Sequence, residues 1–187
     1  LRRLKFIISG GAPLSEATGD YFQRNGVNLT NGYGMTEAAG AILLGDPARR
    51  DWRSLKRIPG VHPESVSVEG LKGQELVLDH SPTVTSAYLH NEEATAAAFP
   101  EPGRFHTGDL FTETEPGLFV FVGRTGEAYK RSTGEWTNPL PIETEIEKSP
   151  LVTRAAILGR DRPYNIAIVQ PAYAAFKGKQ WMEIEAA

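Results

Sequence analysis

The sequence contains no cysteine. This absence excludes a disulfide framework, thiolate-ligated metal sites and a cysteine nucleophile. Long apolar runs are also missing, since the longest wholly apolar stretches span only a few residues, as at Leu118–Val122. A transmembrane helix is therefore not predicted. There is no initiator methionine and no charged leader followed by an apolar segment, so we expect no signal peptide. The lack of cysteine agrees with the cytoplasmic location that we expect. The chain starts at Leu1 inside a strand-like segment, which indicates a fragment of a longer protein.

The 187 residues are 40% hydrophobic and 23% charged, which is typical of a soluble globular protein with one generous domain or a medium domain plus a small one. The net charge is −3, and residues 61–120 contain two basic and ten acidic residues. The densest basic patch consists of Arg49, Arg50, Arg53, Lys56 and Arg57. Two interpretations of the patch stay open: it is a solvated surface segment, or it attracts phosphate or anionic lipid. The second interpretation would allow peripheral membrane association. No nucleic-acid-binding signature accompanies the patch, so we expect no nucleic-acid partner.

The first 36 residues alternate apolar runs with glycine-rich exits. The pattern predicts a buried strand over Leu4–Ser9 and a helix capped by Ser15 that ends near Asn25, before Gly26. A second short strand is predicted over 27–30, and Thr36 falls at a predicted helix start. This order of strand, helix and strand predicts an α/β layer with a mostly parallel sheet.

The rest of the chain predicts a β-rich middle and a small α+β lobe. A hairpin is expected over 65–69 and 75–79, and a helix over 92–99. Strands over 105–111 and 118–122 are expected to be joined by a turn at Pro116-Gly117. A helix over 142–148 and strands over 152–158 and 165–169 follow. The glycines of the segment 123–126 allow large backbone rotations, so we expect the two parts to join there.

Two early segments could contact a nucleotide. The strand exit Gly10-Gly11-Ala12-Pro13 lets a flat or anionic ligand approach the backbone, although such exits are also purely structural features. In the segment 31–37, glycines flank Tyr33 and leave its ring free to stack, while Thr36 and Glu37 suit a phosphate with a bound divalent cation. The alternative for this second segment is a turn with a capping threonine and a first-turn glutamate, and the residues alone do not decide between the two.

Two later segments add candidate ligand contacts. Asp109 lies in a strand-like stretch where aspartate is disfavoured, so its carboxylate could bind a ribose diol or cap a turn. Arg124, followed by Lys130, lies at the predicted junction and could reach a ligand or form a salt bridge between lobes. The four histidines lack metal-ligand spacing, and no serine lies in a nucleophile-elbow pattern.

In their order, these four segments resemble the adenylate-forming (AMP-binding) superfamily of acyl- and aryl-CoA ligases, luciferases and adenylation domains of peptide synthetases. The matching motifs are Gly10–Pro13, Gly32–Glu37, His106–Leu110, and Gly123-Arg124 with Lys130. The resemblance implies an α/β fold in which residues 1–123 form the C-terminal portion of a large lobe, with a sheet and a small β-barrel-like region. Residues 124–187 would form the hinge and an incomplete small α+β lobe.

The resemblance also implies residue roles. Gly11, Ala12 and Pro13 would lie beside the adenine, Tyr33 would stack on it, and Asn31, Gly32 and Thr36 would contact the adenine or the α-phosphate. Glu37 would hold Mg²⁺, Asp109 would bind the ribose hydroxyls with help from Arg124, and Lys130 would serve the thiol-transfer step. Thr36, Glu37 and Lys130 are thus the predicted catalytic residues.

The implied reaction has two steps. A carboxylate substrate attacks the α-phosphorus of ATP to give an acyl-AMP and pyrophosphate, and the thiol of CoA or of carrier-protein phosphopantetheine then displaces AMP. The family's phosphate loop would precede Leu1, and the context of Lys177 and Lys179 does not match its catalytic lysine. Residue 126 is glycine where the hinge usually has Asp or Lys, and the segment 132–136 is one residue longer than the short form of its motif. We therefore expect the chain alone to be nearly inactive and to need the rest of the polypeptide.

Three functions stay open. The first is a fragment of an acyl- or aryl-CoA ligase, which we favour because that class is larger. The second is an adenylation module of a peptide-synthetase-like or carboxylate-reductase enzyme that loads a carrier protein. The third is a non-catalytic nucleotide-binding remnant. The motifs cannot separate the first two because both share the first half-reaction.

Overall fold

The computed structural model describes residues 5–176, and the chain divides into two compact units, Leu1–Glu127 and Ala128–Ala187. That the chain has two domains, divided between residues 123 and 124, stays a prediction. The mixed α/β class is confirmed, with a large sheet and few helices. Within the described residues, no helix has the length and apolar character needed to cross a membrane.

From residue 5 onward, the first unit shows eight strands and two α-helices. In chain order they are β1 (Ile7–Gly10), α1 (Glu16–Arg24), β2 (Leu29–Met35), β3 (Gly40–Gly45), β4 (Leu55–Arg57), β5 (Pro63–Ser67), β6 (Gln74–Asp79), α2 (Glu92–Ala98), β7 (Arg104–Glu115) and β8 (Leu118–Arg124). A 3-10 turn, Thr36–Ala38, separates β2 from β3.

Helix α1 begins and ends at the predicted residues. The Ser15 hydroxyl accepts a hydrogen bond from the backbone N–H of Thr18 at 3.3 Å, which satisfies one of the free donors of the first turn. Glu16 in the first turn and Arg24 in the last turn complement the helix dipole. The chain leaves the helix through Gly26, whose φ of +72° favours glycine. The predicted helix is confirmed.

The prediction of a mostly parallel sheet is wrong. The strand order is β1-β2-β3-β4-β8-β7-β6-β5, and β1 with β2 is the one parallel pair among the described strands. Strand β2 does not end before the glycine motif but continues to Met35. No α-helix follows the 3-10 turn, because Ala39 takes a left-handed conformation (φ 57°) and the chain reverses into β3. A connection this short can join only antiparallel strands.

The predicted elements of the β-rich middle are confirmed. Strands β5 and β6 form the expected antiparallel hairpin, and α2 begins at Glu92 as predicted and ends at Ala98. Strands β7 and β8 also pair as expected but are longer than predicted, running through Glu115 and Arg124. Strands β3 and β4 were not predicted. The run of small residues from Ala38 to Ala41, predicted as part of a helix, instead forms the reversal into β3.

The eight-stranded sheet curls around one apolar core. Its fully buried residues come from both halves of the sheet and include Ile42, Leu43, Leu76, Leu78, Phe105, Phe111 and Phe119. Tyr33 of β2 meets Phe111 of β7 edge-on, with ring centroids 4.8 Å apart, although β3, β4 and β8 lie between their strands in the sheet order. The curl therefore brings the N-terminal strands against β7.

Trp52 explains why α1 contains a buried glycine. Its indole is 4% exposed, donates a hydrogen bond to Asp20 at 3.1 Å and lies against Gly19. A Cβ at Gly19 would fall 2.2 Å from Cε2 of this ring.

We expect Gly19→Ala to lower the free energy of unfolding by about 1–3 kcal/mol, because the rigid indole ring must move to admit the methyl group. Urea unfolding measures the change. The matched control is Gly126→Ala, since a Cβ there meets no atom within 4 Å and should change stability by less than about 0.5 kcal/mol. Equal stability of the two variants would contradict this packing.

The described residues of the second unit form two small antiparallel sheets, one α-helix and a 3-10 turn, Tyr173–Phe176. Its elements are β9 (Tyr129–Lys130), β10 (Trp136–Thr137), α3 (Pro139–Glu147), β11 (Val152–Leu158) and β12 (Ile166–Pro171). Helix α3 begins three residues earlier than predicted, and its proline-rich start suits a first helical turn. Carboxylates of Glu143 and Glu147 accept hydrogen bonds from the backbone N–H groups of Ile157 and Ala155 at 2.8 and 3.0 Å, which ties α3 to β11. Lys177 and Lys179 lie outside the described residues.

Candidate nucleotide site

A cleft in the first unit gathers most of the predicted site residues. Its volume is about 610 Å³ when the open mouth is counted. Six of the predicted site residues line the cleft from the β1 exit and from β2, namely Gly11, Ala12, Pro13, Asn31, Gly32 and Tyr33. Asp109 and Arg124 line the cleft from β7 and β8.

The parallel pairing of β1 with β2 places the first two segments side by side. Gly10 lies in register with Gly32, so the chain that leaves β1 passes the glycine motif of β2. A Cβ at Gly10 would fall 2.9 Å from the Gly32 carbonyl oxygen, and Gly11 has a φ of +83°. Glycine is therefore needed at the exit for both space and backbone conformation. Asn31 also has a buried Oδ1 that accepts no hydrogen bond from the described residues.

Asp109 forms the polar centre of the cleft. It is 2% exposed, and the Tyr33 hydroxyl donates a hydrogen bond to its Oδ2 at 2.7 Å. Arg124, in register with Asp109 across the β7–β8 pair, brings its Nε to 2.8 Å from Oδ1 and is itself 60% exposed. This contact is an ion pair, and Oδ1 accepts no hydrogen bond from the described residues. The cleft therefore presents a buried acceptor beside an exposed cation.

Burial sets the titration of this pair. Burial raises the pKa of Asp109 above its usual value of 3.8, while the Tyr33 hydroxyl and Arg124 act to lower it. Burial, together with the adjacent Asp109 charge, raises the pKa of Tyr33 far above its usual value. Tyr33 therefore keeps its proton and remains a hydrogen-bond donor to Asp109.

The raised pKa of Asp109 predicts a pH dependence of stability. Since the folded chain holds this proton more tightly than the unfolded chain, the free energy of unfolding falls as pH rises from below 3.8 through the raised pKa. Urea unfolding of the wild type and Asp109→Asn across this pH range tests the expectation. Asp109→Asn has no titrating carboxyl at this position. The free energy of unfolding of the wild type should therefore fall relative to that of Asp109→Asn as pH rises. A pH-independent difference would contradict the assignment.

Thr36 and Glu37 follow the cleft residue Met35 directly but do not themselves line the cleft. Thr36 is exposed. The segment that precedes α2 holds Glu37 in place. The Oε1 atom of Glu37 accepts a hydrogen bond from the Tyr88 hydroxyl at 2.8 Å, and its backbone oxygen accepts one from the Thr85 N–H at 2.8 Å. Glu37 is thus oriented next to the cleft by a tyrosine that the sequence analysis did not select.

Lys130 belongs to the second unit. It lies in β9, in register with Trp136 of β10, and its side chain is exposed. Its role in a thiol-transfer step stays a prediction.

Two family profiles match the chain. The profile described as AMP-binding enzyme matches residues 1–81, and the one described as AMP-binding enzyme C-terminal domain matches residues 130–186. The chain belongs to the adenylate-forming (AMP-binding) enzyme family.

Relatives within the AMP-binding family include ligases and reductases. Long-chain-fatty-acid–CoA ligase FadD15 of Mycobacterium bovis is 30% identical over 172 residues, which cover 91% of this chain and 28% of that enzyme. The adenylate-forming reductase Nps11 of Serpula lacrymans is 30% identical over 207 residues, which cover 100% of this chain and 18% of that enzyme. The chain thus spans less than a third of the length of these relatives.

A solved AMP-binding structure shares the fold. The A domain of carboxylic acid reductase from Segniliparus rugosus, in complex with AMP and a co-purified carboxylic acid, superposes with a TM-score of 0.74 at 30% identity. The match covers 91% of this chain and 27% of that chain.

The charges of the basic patch are largely neutralised in this member of the AMP-binding family. Arg49 pairs with Glu115 at 2.9 Å, Arg53 with Asp20 at 3.0 Å and Lys56 with Asp46 at 2.8 Å. The Arg57 guanidinium lies 5.5 Å from the Phe119 ring centroid. These contacts favour the interpretation of the patch as a surface segment whose charges are locally balanced.

Sequence reasoning missed two residues beside the site, Glu75 and Tyr88. Glu75 precedes the apolar run Leu76-Val77-Leu78, and a carboxylate leading a buried strand is a signal that could have marked it. Tyr88 has no such signal, because its contact with Glu37 joins residues 51 positions apart.

Proposed function

We propose that the chain supplies the nucleoside-binding part of an enzyme that activates a carboxylic acid with ATP as an acyl-AMP and then forms a thioester with CoA. The observation that carries the proposal is the single cleft that unites the β1 exit, the β2 motif, Asp109 and Arg124. These segments are far apart in the sequence, and because they line the same cleft they can contact one ligand together.

The buried acceptors of the cleft match a nucleoside. Oδ1 of Asp109 is buried and has Arg124 as its partner, and a carboxylate oxygen can accept a further hydrogen bond from a ribose hydroxyl. Asn31 Oδ1 is a second buried acceptor, which suits the amino group of adenine. The Tyr33 ring would stack on the base, while Gly11, Ala12, Pro13 and Gly32 leave room for the base to approach the backbone.

Glu37 fits the predicted magnesium role. Within the described residues, no three His, Asp or Glu side chains form a group that could hold a metal ion. Magnesium nevertheless fits, because it binds proteins through one or two carboxylates and takes its other ligands from phosphates and water. Glu37 would hold the ion with Thr36 beside the phosphate, and the bound ion would offset the negative charge of the phosphates.

The contribution of this chain to the first half-reaction is positioning. ATP whose base stacks on Tyr33 and whose ribose binds Asp109 would have its α-phosphorus placed for attack by the substrate carboxylate, which forms the new P–O bond as pyrophosphate leaves. Arg124 adds positive charge on the exposed side of the cleft. Lys130 and the second unit would serve the later attack of the thiol on the acyl-AMP.

The acceptor thiol has two candidates. The name of FadD15 supports CoA, whereas the names of Nps11 and of the carboxylic acid reductase support an adenylation module, for which the acceptor would be carrier-protein phosphopantetheine. Relatives of both kinds share 30% identity with the chain, so carrier loading is retained as the second candidate. We favour CoA because the acyl- and aryl-CoA ligases are the larger class.

Calorimetric titration of the 187-residue chain with AMP and with ATP plus Mg²⁺ tests the nucleotide site. We expect both nucleotides to bind. Absence of binding would overturn the proposal.

Carboxylate-dependent exchange of ATP with pyrophosphate tests catalysis by the same chain. We expect no robust exchange, because the motifs predict that part of the machinery lies elsewhere in the polypeptide. Robust exchange would refute the expected inactivity. If the longer polypeptide also binds AMP without exchange for any acid supplied, the non-catalytic remnant is the better description.

A further inference from the structure

Glu75 is a carboxylate buried in strand β6. The residue is 8% exposed and is followed by three fully buried apolar residues. Burying a carboxylate is unfavourable unless hydrogen bonds compensate for the lost water. The contacts of Glu75 therefore indicate what its burial achieves.

Both oxygens of Glu75 contact the same turn of β7. Oε1 accepts a hydrogen bond from the Gly108 backbone N–H at 2.8 Å. Oε2 lies 3.0 Å from Nδ1 of His106, within hydrogen-bonding distance. Glu75 thus holds the residues at −1 and −3 from Asp109.

This turn is a bulge in the β6–β7 ladder. Glu75 pairs with Leu110 while Val77 pairs with His106, so β7 carries more residues than β6 between the two pairs. The extra residues require Gly108 at a φ of +71°. Bulges of this kind redirect a side chain, and here the redirected residue is Asp109.

Two further contacts close the bulge. The Thr107 hydroxyl donates to the Leu76 carbonyl at 2.7 Å and accepts from the Asp109 N–H at 3.1 Å. The Gly108 carbonyl accepts a hydrogen bond from the Thr125 N–H at 2.8 Å. Glu75 is the charged member of this set.

We propose that Glu75 is a positioning residue of the nucleotide site, which fixes Asp109 toward the ribose by holding the bulge at 106–108. The inference rests on the proposed function, because it assigns Glu75 to the ribose end of that site. Glu75 does not line the cleft and acts through Asp109.

The test compares AMP with 2′,3′-dideoxy-AMP, which lacks the hydroxyls that Asp109 would bind. Glu75→Ala should weaken AMP binding by about tenfold or more, as expected for losing a hydrogen bond to a charged group, and should change dideoxy-AMP binding by less than about twofold. A general disturbance of the cleft would weaken both ligands equally and would overturn the proposal, as would unchanged AMP affinity.

Two further variants separate positioning from stability. Glu75→Gln should recover most of the AMP affinity. The amide oxygen of the glutamine can accept from the Gly108 N–H, and its amide NH₂ can donate to Nδ1 of His106 in the tautomer that carries the histidine proton on Nε2. Val77→Ala removes a buried side chain two residues along β6. It should lower stability and leave AMP affinity unchanged. Loss of AMP affinity in Val77→Ala equal to that in Glu75→Ala would contradict the proposal.

Amide hydrogen exchange of Gly108 in the free chain tests the role of Glu75 separately from the proposed nucleotide function. If the wild type binds no AMP, the proposed function fails, and Gly108 exchange still tests the contact. Faster exchange in Glu75→Ala than in Val77→Ala would support the role of Glu75 in holding the bulge, whereas equal rates would overturn it.

Discussion

Asp109→Ala is expected to weaken AMP binding by about a hundredfold, the effect of losing hydrogen bonds to a charged group worth about 2–3 kcal/mol. The expectation follows from the buried Oδ1 of Asp109, which accepts no hydrogen bond and faces the ion-paired Arg124. Calorimetric titration at fixed pH and salt measures the change. Asp109→Asn should fall between the wild type and Asp109→Ala, because its side-chain oxygen can still accept one ribose hydroxyl.

A surface carboxylate provides the control for charge. Asp46 pairs with Lys56 at 2.8 Å and does not line the cleft. Asp46→Ala changes the net charge by the same amount as Asp109→Ala and should leave AMP affinity unchanged. Unchanged affinity in Asp109→Ala would end the ribose assignment.

Gly34→Ala is expected to lower the free energy of unfolding by about 3 kcal/mol or more, because the added methyl group meets backbone that cannot move aside. A Cβ at Gly34 would fall 2.0 Å from the Gly40 carbonyl oxygen and 2.7 Å from Cα of Ala41, both on the strand paired with β2. The register of this pair shifts between Tyr33 and Gly34, so the clash lies at an irregular and tightly turned point.

The neighbouring glycine of the motif is the matched control for Gly34→Ala. A Cβ at Gly32 would lie 3.5 Å from Leu44 Cδ1 and 3.6 Å from Ile8 Cγ2, both ordinary contacts with side-chain ends. Gly32→Ala should therefore change stability by about 1 kcal/mol or less. Chemical denaturation of both variants measures the two losses. A loss in Gly34→Ala as small as the one expected for Gly32→Ala would show that the reversal between β2 and β3 tolerates a side chain.

The sequence by itself determined the local elements and the family. The capping of α1 by Ser15, the hairpin of β5 and β6 and the turn at Pro116-Gly117 depend on neighbouring residues, so their patterns are visible without the fold. The ordered motifs likewise identified the adenylate-forming family. The prediction of a parallel sheet failed because the glycine motif looks locally like a strand exit, whereas it continues β2 and reverses the chain.

Only the tertiary structure decided which of these residues meet. Tyr33 and Asp109 are 76 positions apart, and their hydrogen bond requires the sheet to curl until β2 lies against β7. The buried Glu75 and the bond from Tyr88 to Glu37 depend on the same long-range packing. Sequence patterns encode a strand's own periodicity, but the partner of a polar side chain is set by the closing of the sheet around its core.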